Sequence, residues 1–443
     1  MTTDFAIALA ILLGLYTTVV LRQVLTRGPP LSVLFLVAGG AMIAFGVLSP
    51  ETALRSLNFS VLVFLFSMFV FALALDKAGV LTHLASWLLY VGRRAENLPF
   101  YLFVGFGLLS TILVNDAIVL LAVPLLMGLA RRLKASPVPL LLTVAYAVTV
   151  GSAMTPLGNP QNALISLSSG ISAPITTFVE YLAIPTFLNL IIGGWLVSRW
   201  FGPTLRTSAD STPPPSPSEV IPFFPRTPPE GWLAWVRHRP SVLIFPGTIA
   251  FLLINDIGSE FFGMVALPIW AIVLAGTLLL LLLHPVSRTL IEGIDWNTLL
   301  LFVGLFVVMG GVAAAGIFGA MDQVLPLPSA SGGATSPQVI GVLMLSSLGG
   351  SQVLSNVPWT ALSIPFLHNL GYGGAQAKVW LALGAGATLA GNLTLLGAAS
   401  NLIVVNQAER AGLKIGFGQF ARYGIPLTLI TIGITFLALW VGL

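Results

Sequence analysis

The chain has 443 residues, of which 56% are hydrophobic and 8% are charged, and its mean hydropathy is +0.98. Soluble domains carry about 25% charged residues, so this composition excludes a soluble enzyme, a nucleic-acid-binding protein and a secreted disulfide scaffold. The sequence contains no cysteine, which excludes disulfides, thiolate metal sites and thiol redox chemistry. The remaining class is an all-α polytopic membrane protein whose environment is the lipid bilayer.

Ten apolar stretches are long enough to cross a bilayer as helices. They cover approximately 5–21, 31–48, 59–75, 137–157, 174–200, 241–255, 261–283, 297–317, 376–396 and 421–442. Two longer stretches, 98–130 and 336–370, are each interrupted in the middle by polar residues, and each half is short for a full crossing. We therefore expect both to be re-entrant helical hairpins whose tips stop inside the bilayer.

The basic residues predict the orientation, because cytoplasmic loops carry an excess of lysine and arginine. With the N-terminus outside and both hairpins re-entering, all but two of the 19 basic residues lie on the cytoplasmic side. The two exceptions are Arg55 and Lys378. The C-terminus is then also outside. We expect a multi-pass protein of the cell inner (plasma) membrane.

Residues 202–240 differ from the rest, with ten prolines and the segment TSADSTPPPSPSEV. This composition predicts a cytoplasmic linker without a fold of its own. The linker divides the chain into a first transmembrane repeat at 1–201 and a second at 241–443. The first repeat is expected to contain the hairpin 98–130 and a broken helix at 137–170, and the second the hairpin 336–370 and a broken helix at 376–413.

Matched polar motifs on the two sides of the linker indicate that the halves are repeats. Asn115 pairs with Asn356, and TPLGNPQNALI, which begins at Thr155, pairs with TLLGAASNLIV, which begins at Thr394. The predicted orientation places the two halves in opposite directions. Inverted repeats of this kind are typical of secondary transporters, whose binding site lies near the bilayer midplane where interrupted helices meet.

The interrupted helices supply the candidate ligands, because backbone groups left unpaired in hydrocarbon must face protein or a wet cavity. Half-helix N-termini attract anions, and C-terminal carbonyls and asparagine oxygens coordinate cations. The candidate substrate and ion ligands are Asn115, Asp116, Thr155, Gly158, Asn159, Gln161, Asn162, Ser355, Asn356, Thr394, Gly397, Ser400 and Asn401, and the candidate sodium ligands among them are Asn115, Asn162, Asn356 and Asn401. The alternative is that these residues only cap the broken helix ends.

Asp116 is the acidic residue predicted to lie at membrane depth away from a helix end. A carboxylate in hydrocarbon is costly and is usually retained for function. Loss of water favours its protonated form, so Asp116 could load and release a coupling proton. The alternative is a cap for the helix that starts at Ala117.

Active transport by this chain requires an ion gradient. The sequence has no Walker A motif, so the coupling ion is a proton or sodium unless a separate ATPase subunit docks on the cytoplasmic face. No cofactor is expected.

Four segments resemble the ion transporter superfamily: ILVNDAIVLLAVPLL, SAMTPLGNPQNALI, LSNVPWTALSIPFL and GNLTLLGAASNLIVVNQAERAG. The resemblance covers about residues 30–200 and 260–440. It is nearest to the arsenite-permease branch, which includes arsenite and antimonite efflux permeases, the melanosomal P-protein, plant silicic-acid efflux transporters and related sodium/proton antiporters. The divalent-anion/sodium symporters resemble the chain more distantly.

The resemblance implies a discontinuous helix and a re-entrant hairpin in each inverted repeat, an elevator-like movement of a transport domain against a scaffold, and a homodimer. Asn115-Asp116 matches the Asn-Asp pair of the arsenite-permease branch. The symporter branch carries Ser-Asn-Thr at both hairpin tips. In this chain the first tip lacks that motif and the second reads Ser355-Asn356-Val357, so the expectation of two sodium sites is weaker. The residues that match the unwound helices of the family are Asn159, Asn162 and Asn401.

We therefore expect an ion-coupled secondary transporter of a small inorganic oxyanion or oxyacid, with proton-driven efflux of arsenite, antimonite or silicic acid as the first interpretation. A sodium-coupled symporter of sulfate, phosphate or a dicarboxylate is one alternative, and a sodium/proton antiporter is another. A channel is a third. No lysine or arginine lies among the candidate ligands, so a doubly charged substrate would depend on helix dipoles and co-bound cations.

Overall fold

The computed structural model describes residues 3–25, 28–80, 83, 96–209, 239–284, 287–317, 327–330, 336–395, 397–410 and 412–442. Most of the predicted linker and Leu396, one of the residues matched between the halves, lie outside these ranges. Within them the regular structure is α-helical, with one short 3-10 turn at Gly374–Gln376.

Eighteen α-helices follow one another in the described ranges. The first nine are α1 (Thr3–Leu25), α2 (Leu31–Ala44), α3 (Pro50–Ser56), α4 (Phe59–Lys77), α5 (Leu98–Ser110), α6 (Asn115–Arg132), α7 (Val138–Ser152), α8 (Pro160–Ser168) and α9 (Pro174–Ala209). The second nine are α10 (Ser241–Phe262), α11 (Ile269–Leu283), α12 (Ser287–Glu292), α13 (Trp296–Ala314), α14 (Pro337–Leu354), α15 (Asn356–Asn369), α16 (Ala377–Ala390), α17 (Ala399–Arg410) and α18 (Phe417–Val441).

Six of these helices are long and apolar enough to cross a membrane, namely α4, α9, α10, α13, α14 and α18. The chain is a multi-span, all-helical membrane protein, as its composition predicts. One predicted span begins later than expected: α11 starts at Ile269 and not near 261. Gly263 adopts a left-handed φ of 63° that ends α10, and Pro268 is the N-cap of α11. Helix α9 continues to Ala209, eight residues into the range predicted as linker.

The long apolar stretches are interrupted where polar residues predict it. Residues 111–114 separate α5 from α6, and Ser355 alone separates α14 from α15. Ser355 adopts φ 69° and ψ 160°, a left-handed φ that breaks the helical path in a single residue. Residues 153–159 separate α7 from α8, and residues 391–398 separate α16 from α17. Proline at the first position of α8 disfavours helix at the residue before it, which explains the first of these breaks.

The helices pack in two groups. One contains α1–α4 and α10–α13, with α2 against α13 and α4 against α11; the other contains α5–α9 and α14–α18, with α5 against α7 and α14 against α16. Small residues allow close approach, because a Cβ on Gly151 of α7 would overlap the carbonyl oxygen of Gly107 on α5. All four interruptions lie in the second group, so packing brings them together.

Candidate functional site

The first residues of α6 and α15 are hydrogen-bonded to the two longer helix breaks. The backbone N–H of Asn115 donates to the carbonyl oxygen of Gly158 at 2.8 Å, and that of Asn356 donates to the carbonyl oxygen of Gly397 at 3.2 Å. A Cβ on Gly158 would lie 2.6 Å from the carbonyl oxygen of Ser110, so only glycine fits this contact without movement. These two N–H groups therefore satisfy carbonyl groups that lie in the breaks, outside any helix.

Asparagine amides satisfy further carbonyls at both breaks. The Asn162 side-chain nitrogen donates to the carbonyl oxygens of Ser152, Ala153 and Thr155 at 3.1, 3.2 and 3.2 Å. In the second half, the Asn401 side-chain nitrogen donates to the carbonyl oxygens of Gly391 and Thr394 at 2.6 and 3.3 Å. Both asparagines are fully buried. The polar residues of the breaks thus hold the irregular backbone in place.

Four helix N-termini surround one small pocket. Its volume is about 40 Å³, room for about three water molecules. The first residues of α6, α8, α15 and α17 contribute to its wall, which is lined by Val19, Leu31, Phe35, Asn115, Asp116, Pro160, Gln161, Leu301, Leu354, Ser355, Asn356, Val357, Pro358, Ala398 and Ala399. Helix N-termini carry partial positive charge and free N–H donors, so the pocket suits the oxygen atoms of a small solute.

A second, wider cavity of about 390 Å³ lies beside the small pocket. Its wall comes from α4, α6, the start of α13 and α17, and is lined by Phe69, Leu73, Asp116, Ala117, Leu120, Leu121, Gly293, Asp295, Asn297, Ile403, Asn406 and Gln407. These helices lead to basic residues, namely Lys77 at the end of α4, Arg131 in the last turn of α6, Arg288 before α13 and Lys414 after α17. All of these were predicted to be cytoplasmic.

Asp116 is the residue that the two cavities share. Among the described residues it alone lines both the small pocket and the wide cavity. Its side chain is 8% exposed, and its carboxylate has no hydrogen-bond partner in the described part of the chain. Its backbone N–H donates to the Asn115 side-chain oxygen at 2.8 Å. A buried carboxylate without a hydrogen-bond donor is costly to keep ionised.

The candidate ligands from the sequence occupy two places. Five of them line the small pocket, namely Asn115, Asp116, Gln161, Ser355 and Asn356. The others lie in the two longer breaks or in the first turns of the helices that follow, namely Thr155, Gly158, Asn159, Asn162, Thr394, Gly397, Ser400 and Asn401. In the breaks, the hydroxyl of Thr155 donates to the carbonyl of Thr111, and that of Thr394 donates to Gln352 Oε1 at 2.7 Å.

The predicted sodium ligands are not equivalent in the two halves. Three buried oxygen atoms of the second half, Asn356 Oδ1, Ser400 Oγ and Asn401 Oδ1, have no hydrogen-bond partner among the described residues. In the first half, Asn115 Oδ1 accepts from Asp116, and Asn162 Oδ1 receives the hydroxyl of Thr388 at 3.5 Å. Unpaired hard oxygen ligands suit an alkali cation, and among the described candidate sodium ligands those whose side-chain oxygen has no partner lie in the second half.

Thr388 is a site residue that the sequence analysis missed. Its hydroxyl oxygen accepts hydrogen bonds from Asn159 Nδ2 at 3.2 Å and Gln161 Nε2 at 3.1 Å. Thr388 lies on α16 and is fully buried. It pairs with Thr149 at the separation that relates Thr155 to Thr394, so extending the repeat alignment upstream would have found it.

Two carboxylates were also missed. Asp295 lines the wide cavity and is the N-cap of α13. Asp256 is buried in α10 and accepts from the backbone N–H groups of Ile175 and Thr176 at 2.7 and 3.2 Å. An aspartate directly before an apolar helix is the sequence signal for the first. No local signal identifies the second, because its partner helix begins far from it in sequence.

Comparison with known proteins places the chain in a family of transporters. The CitMHS family, described as citrate transporter, matches residues 16–386. The chain is similar to the 46 kDa membrane protein of Mycobacterium leprae, at 26% identity over 87% of this chain and 86% of that one. It is also 25% identical to the silicon efflux transporter LSI3 of Oryza sativa, over 89% of each chain, and 25% identical to the inner membrane protein YbiR of Escherichia coli, over 89% and 91%. The fold resembles the YdaH transporter of Alcanivorax borkumensis, with a TM-score of 0.54, 16% identity and coverage of 93% and 96%.

Proposed function

The chain belongs to the CitMHS family of the ion transporter superfamily and is therefore a secondary transporter and not an enzyme; on this premise we propose that it exports a small inorganic oxyacid, silicic acid or arsenite, in exchange for protons. The observation that carries the proposal is the convergence of four helix N-termini on one pocket of about 40 Å³. Such a pocket supplies several N–H donors to a solute with several oxygens and has no room for a large organic acid.

The proton is carried by Asp116 in this proposal. Its buried carboxylate lies between the small pocket and the wide cavity and has no hydrogen-bond partner among the described residues. It can therefore respond both to the solute and to water. Asp116 takes up a proton on the outer side as the substrate leaves there, and releases it inside as the next substrate binds.

The transport movement follows from the two helical groups. We assign α5–α9 and α14–α18 to a transport domain that moves as an elevator against a scaffold of α1–α4 and α10–α13, through which two copies form a homodimer. The two halves are inverted repeats, and the pairs α5–α6 and α14–α15 are re-entrant hairpins. The proposal is supported by the matched hydrogen bonds of Asn115 to Gly158 and Asn356 to Gly397.

The orientation is part of the same proposal. The protein lies in the inner membrane, with both termini outside and the linker in the cytoplasm. The relative YbiR is named an inner membrane protein. The wide cavity then opens inward, because the helices that line it lead to Lys77, Arg131, Arg288 and Lys414. In this orientation the structure represents the inward-facing state.

Flux in proteoliposomes tests the proposal. Arsenite, silicic acid, sulfate, succinate and citrate are supplied in turn, with an imposed proton or sodium gradient, to the wild type and to Asp116→Asn. We expect proton-driven accumulation of the uncharged oxyacids, lost in Asp116→Asn and retained in Asp116→Glu. Unchanged proton-driven flux in Asp116→Asn contradicts the coupling role, and flux of sulfate, succinate or citrate alone contradicts the substrate class.

Sodium coupling is the second candidate, and it has its own observation. The buried oxygens of Asn356, Ser400 and Asn401, which have no hydrogen-bond partner among the described residues, are ligands of the kind that sodium prefers. A flux that requires sodium and survives Asp116→Asn would favour a sodium-coupled symporter over proton exchange. Sodium pulses that change the pH inside vesicles without any oxyacid would instead favour a sodium/proton antiporter.

A further inference from the structure

Asp295 carries a charge that its structural role does not require. It is the N-cap of α13, where its Oδ1 accepts from the backbone N–H groups of Asn297 and Thr298 at 3.1 and 3.3 Å. Its Oδ2 accepts from the Thr298 hydroxyl at 2.7 Å. Asparagine and serine cap helices about as well as aspartate, since the cap needs an oxygen acceptor and not a carboxylate. Helix capping therefore does not explain why this position carries a negatively charged side chain.

Asp295 lies in the wall of the wide cavity, which shares Asp116 with the small pocket. Asp295 and Asp116 line this cavity from different helical groups. The cavity reaches the surface, because Gly293 and Asn297 in its wall are exposed. Its described lining contains no lysine, arginine or histidine. A cavity with walls of one sign concentrates ions of the opposite sign and repels those of the same sign.

Asp116 provides the independent evidence that this cavity leads to a ligand. Its carboxylate is 8% exposed, has no hydrogen-bond partner among the described residues, and lies where the wide cavity meets the small pocket. The four helix N-termini beyond it attract anions more strongly than uncharged solutes. A preference for uncharged solutes therefore has to arise before the solute reaches them.

We propose that Asp295, together with Asp116, forms an electrostatic filter that admits uncharged oxyacids to the small pocket and holds back their anions. The inference rests on the proposed function and narrows it. Silicic acid and arsenious acid are uncharged at neutral pH, whereas sulfate, phosphate and dicarboxylates are anions. Asp295 is a specificity-determining residue in this scheme and takes no part in proton transfer.

Thiol modification measures the filter without any transport. The chain has no cysteine, so Leu121→Cys places a single thiol in the wall of the wide cavity. The full-length protein is reconstituted, and the thiol is modified with a cationic trimethylammonium methanethiosulfonate and with an anionic sulfonate methanethiosulfonate. We expect the cationic reagent to react faster, and the additional change Asp295→Asn to lower the ratio of the two rates about tenfold, because one charge is removed from a poorly solvated cavity.

Glu292→Gln is the matched control. It removes an exposed carboxylate that pairs with Arg288 at 2.9 Å and lies outside the cavity wall, so the ratio of rates should change by less than about twofold, as for a screened surface charge. A ratio that is unchanged in Asp295→Asn, or lowered equally by Glu292→Gln, overturns the proposal. Asp295→Ser keeps an oxygen at the cap and serves as the second variant if Asp295→Asn fails to fold.

Flux separates this inference from the proposed function. If neither silicic acid nor arsenite is transported, the proposed function fails, and the ratio of thiol modification rates still decides whether the filter exists. If sulfate enters the wild type as fast as silicic acid, the filter is overturned even though transport of an oxyacid stands. With both correct, sulfate inhibits silicic acid flux in Asp295→Asn about tenfold more strongly than in the wild type.

Discussion

The backbone N–H of Asn115 donates a 2.8 Å hydrogen bond to the carbonyl oxygen of Gly158, and this contact joins a helix start to the break of a different helix. Asn356 and Gly397 make the same contact at 3.2 Å in the second half. Each hydrogen bond therefore connects the start of one helix to the break between two others. The residues that hold these contacts are the most sensitive places to perturb.

Gly158→Ala should lower stability and abolish flux. The added Cβ would lie 2.6 Å from the carbonyl oxygen of Ser110 and from Ser152 Cα and O, all backbone atoms that cannot rotate away. Overpacking of this kind costs about 1–3 kcal/mol. Thermal unfolding of the detergent-solubilised protein measures the loss. Gly128→Ala is the control, since nothing lies within 4 Å of its Cβ position, and equal unfolding temperatures for the two variants would contradict the steric argument.

Asn162→Ala should be more destabilising than Asn401→Ala. Asn162 donates to three buried carbonyl groups and Asn401 to two. A hydrogen bond of this kind contributes about 0.5–1.5 kcal/mol, and the first variant loses three of them whereas the second loses two. The two unfolding temperatures, measured side by side, test the order. A larger loss in Asn401→Ala would show that the amide hydrogen bonds do not decide the stability of the breaks.

Thr388→Val should weaken substrate affinity by about tenfold. The change keeps the shape of the side chain but removes the oxygen that accepts from Asn159 and Gln161, and Gln161 lines the small pocket. Loss of such an acceptor costs about 1–3 kcal/mol. The measurement is the KM of flux in proteoliposomes. Thr149→Val is the control, because its hydroxyl donates only to the carbonyl of Ala145 in its own helix, and an equal rise in KM there would refute the role of Thr388.

Asp256→Ala should destabilise the junction of α9 and α10 by about 1–2 kcal/mol, the usual cost of losing a helix cap. Asp256 accepts from the first backbone N–H groups of α9 and is 2% exposed, so alanine leaves these donors without a partner. Asp256→Asn keeps one acceptor and should lose less. Glu260→Ala serves as the comparison, because its 3.5 Å contact with the Ser172 hydroxyl is exposed; a loss as large as that of Asp256→Ala would contradict the capping role.

Much of the architecture was predictable because its signals are local. The interruptions follow from Pro160 and from the polar residues at 115–116 and 355–356, which a hydrophobic helix does not tolerate in its middle. The predicted start of α11 is wrong, because a hydropathy profile does not report the left-handed turn at Gly263. The resemblance to the ion transporter superfamily is confirmed by the family match over residues 16–386. The roles of the candidate ligands stay predictions.

The candidate site was only partly predictable, and the misses share a cause. The sequence singled out Asn159 and Gln161, but their common acceptor Thr388 lies 229 and 227 residues away. Asp256 likewise caps a helix whose first N–H donor, that of Ile175, lies 81 residues before it. Such pairings depend on which helix faces which, and no periodicity within one helix reports that.

The sequence by itself determined that this chain crosses a membrane many times, where its helices break, and which superfamily it resembles, because hydropathy, helix-breaking residues and motifs act over a few neighbouring residues. Only the tertiary structure decided that four helix N-termini meet at one pocket, that Asp116 lies between that pocket and the wide cavity, and that Asp295 shares the cavity with it. Those relationships arise from packing between distant helices, where the need to satisfy buried backbone groups selects one arrangement.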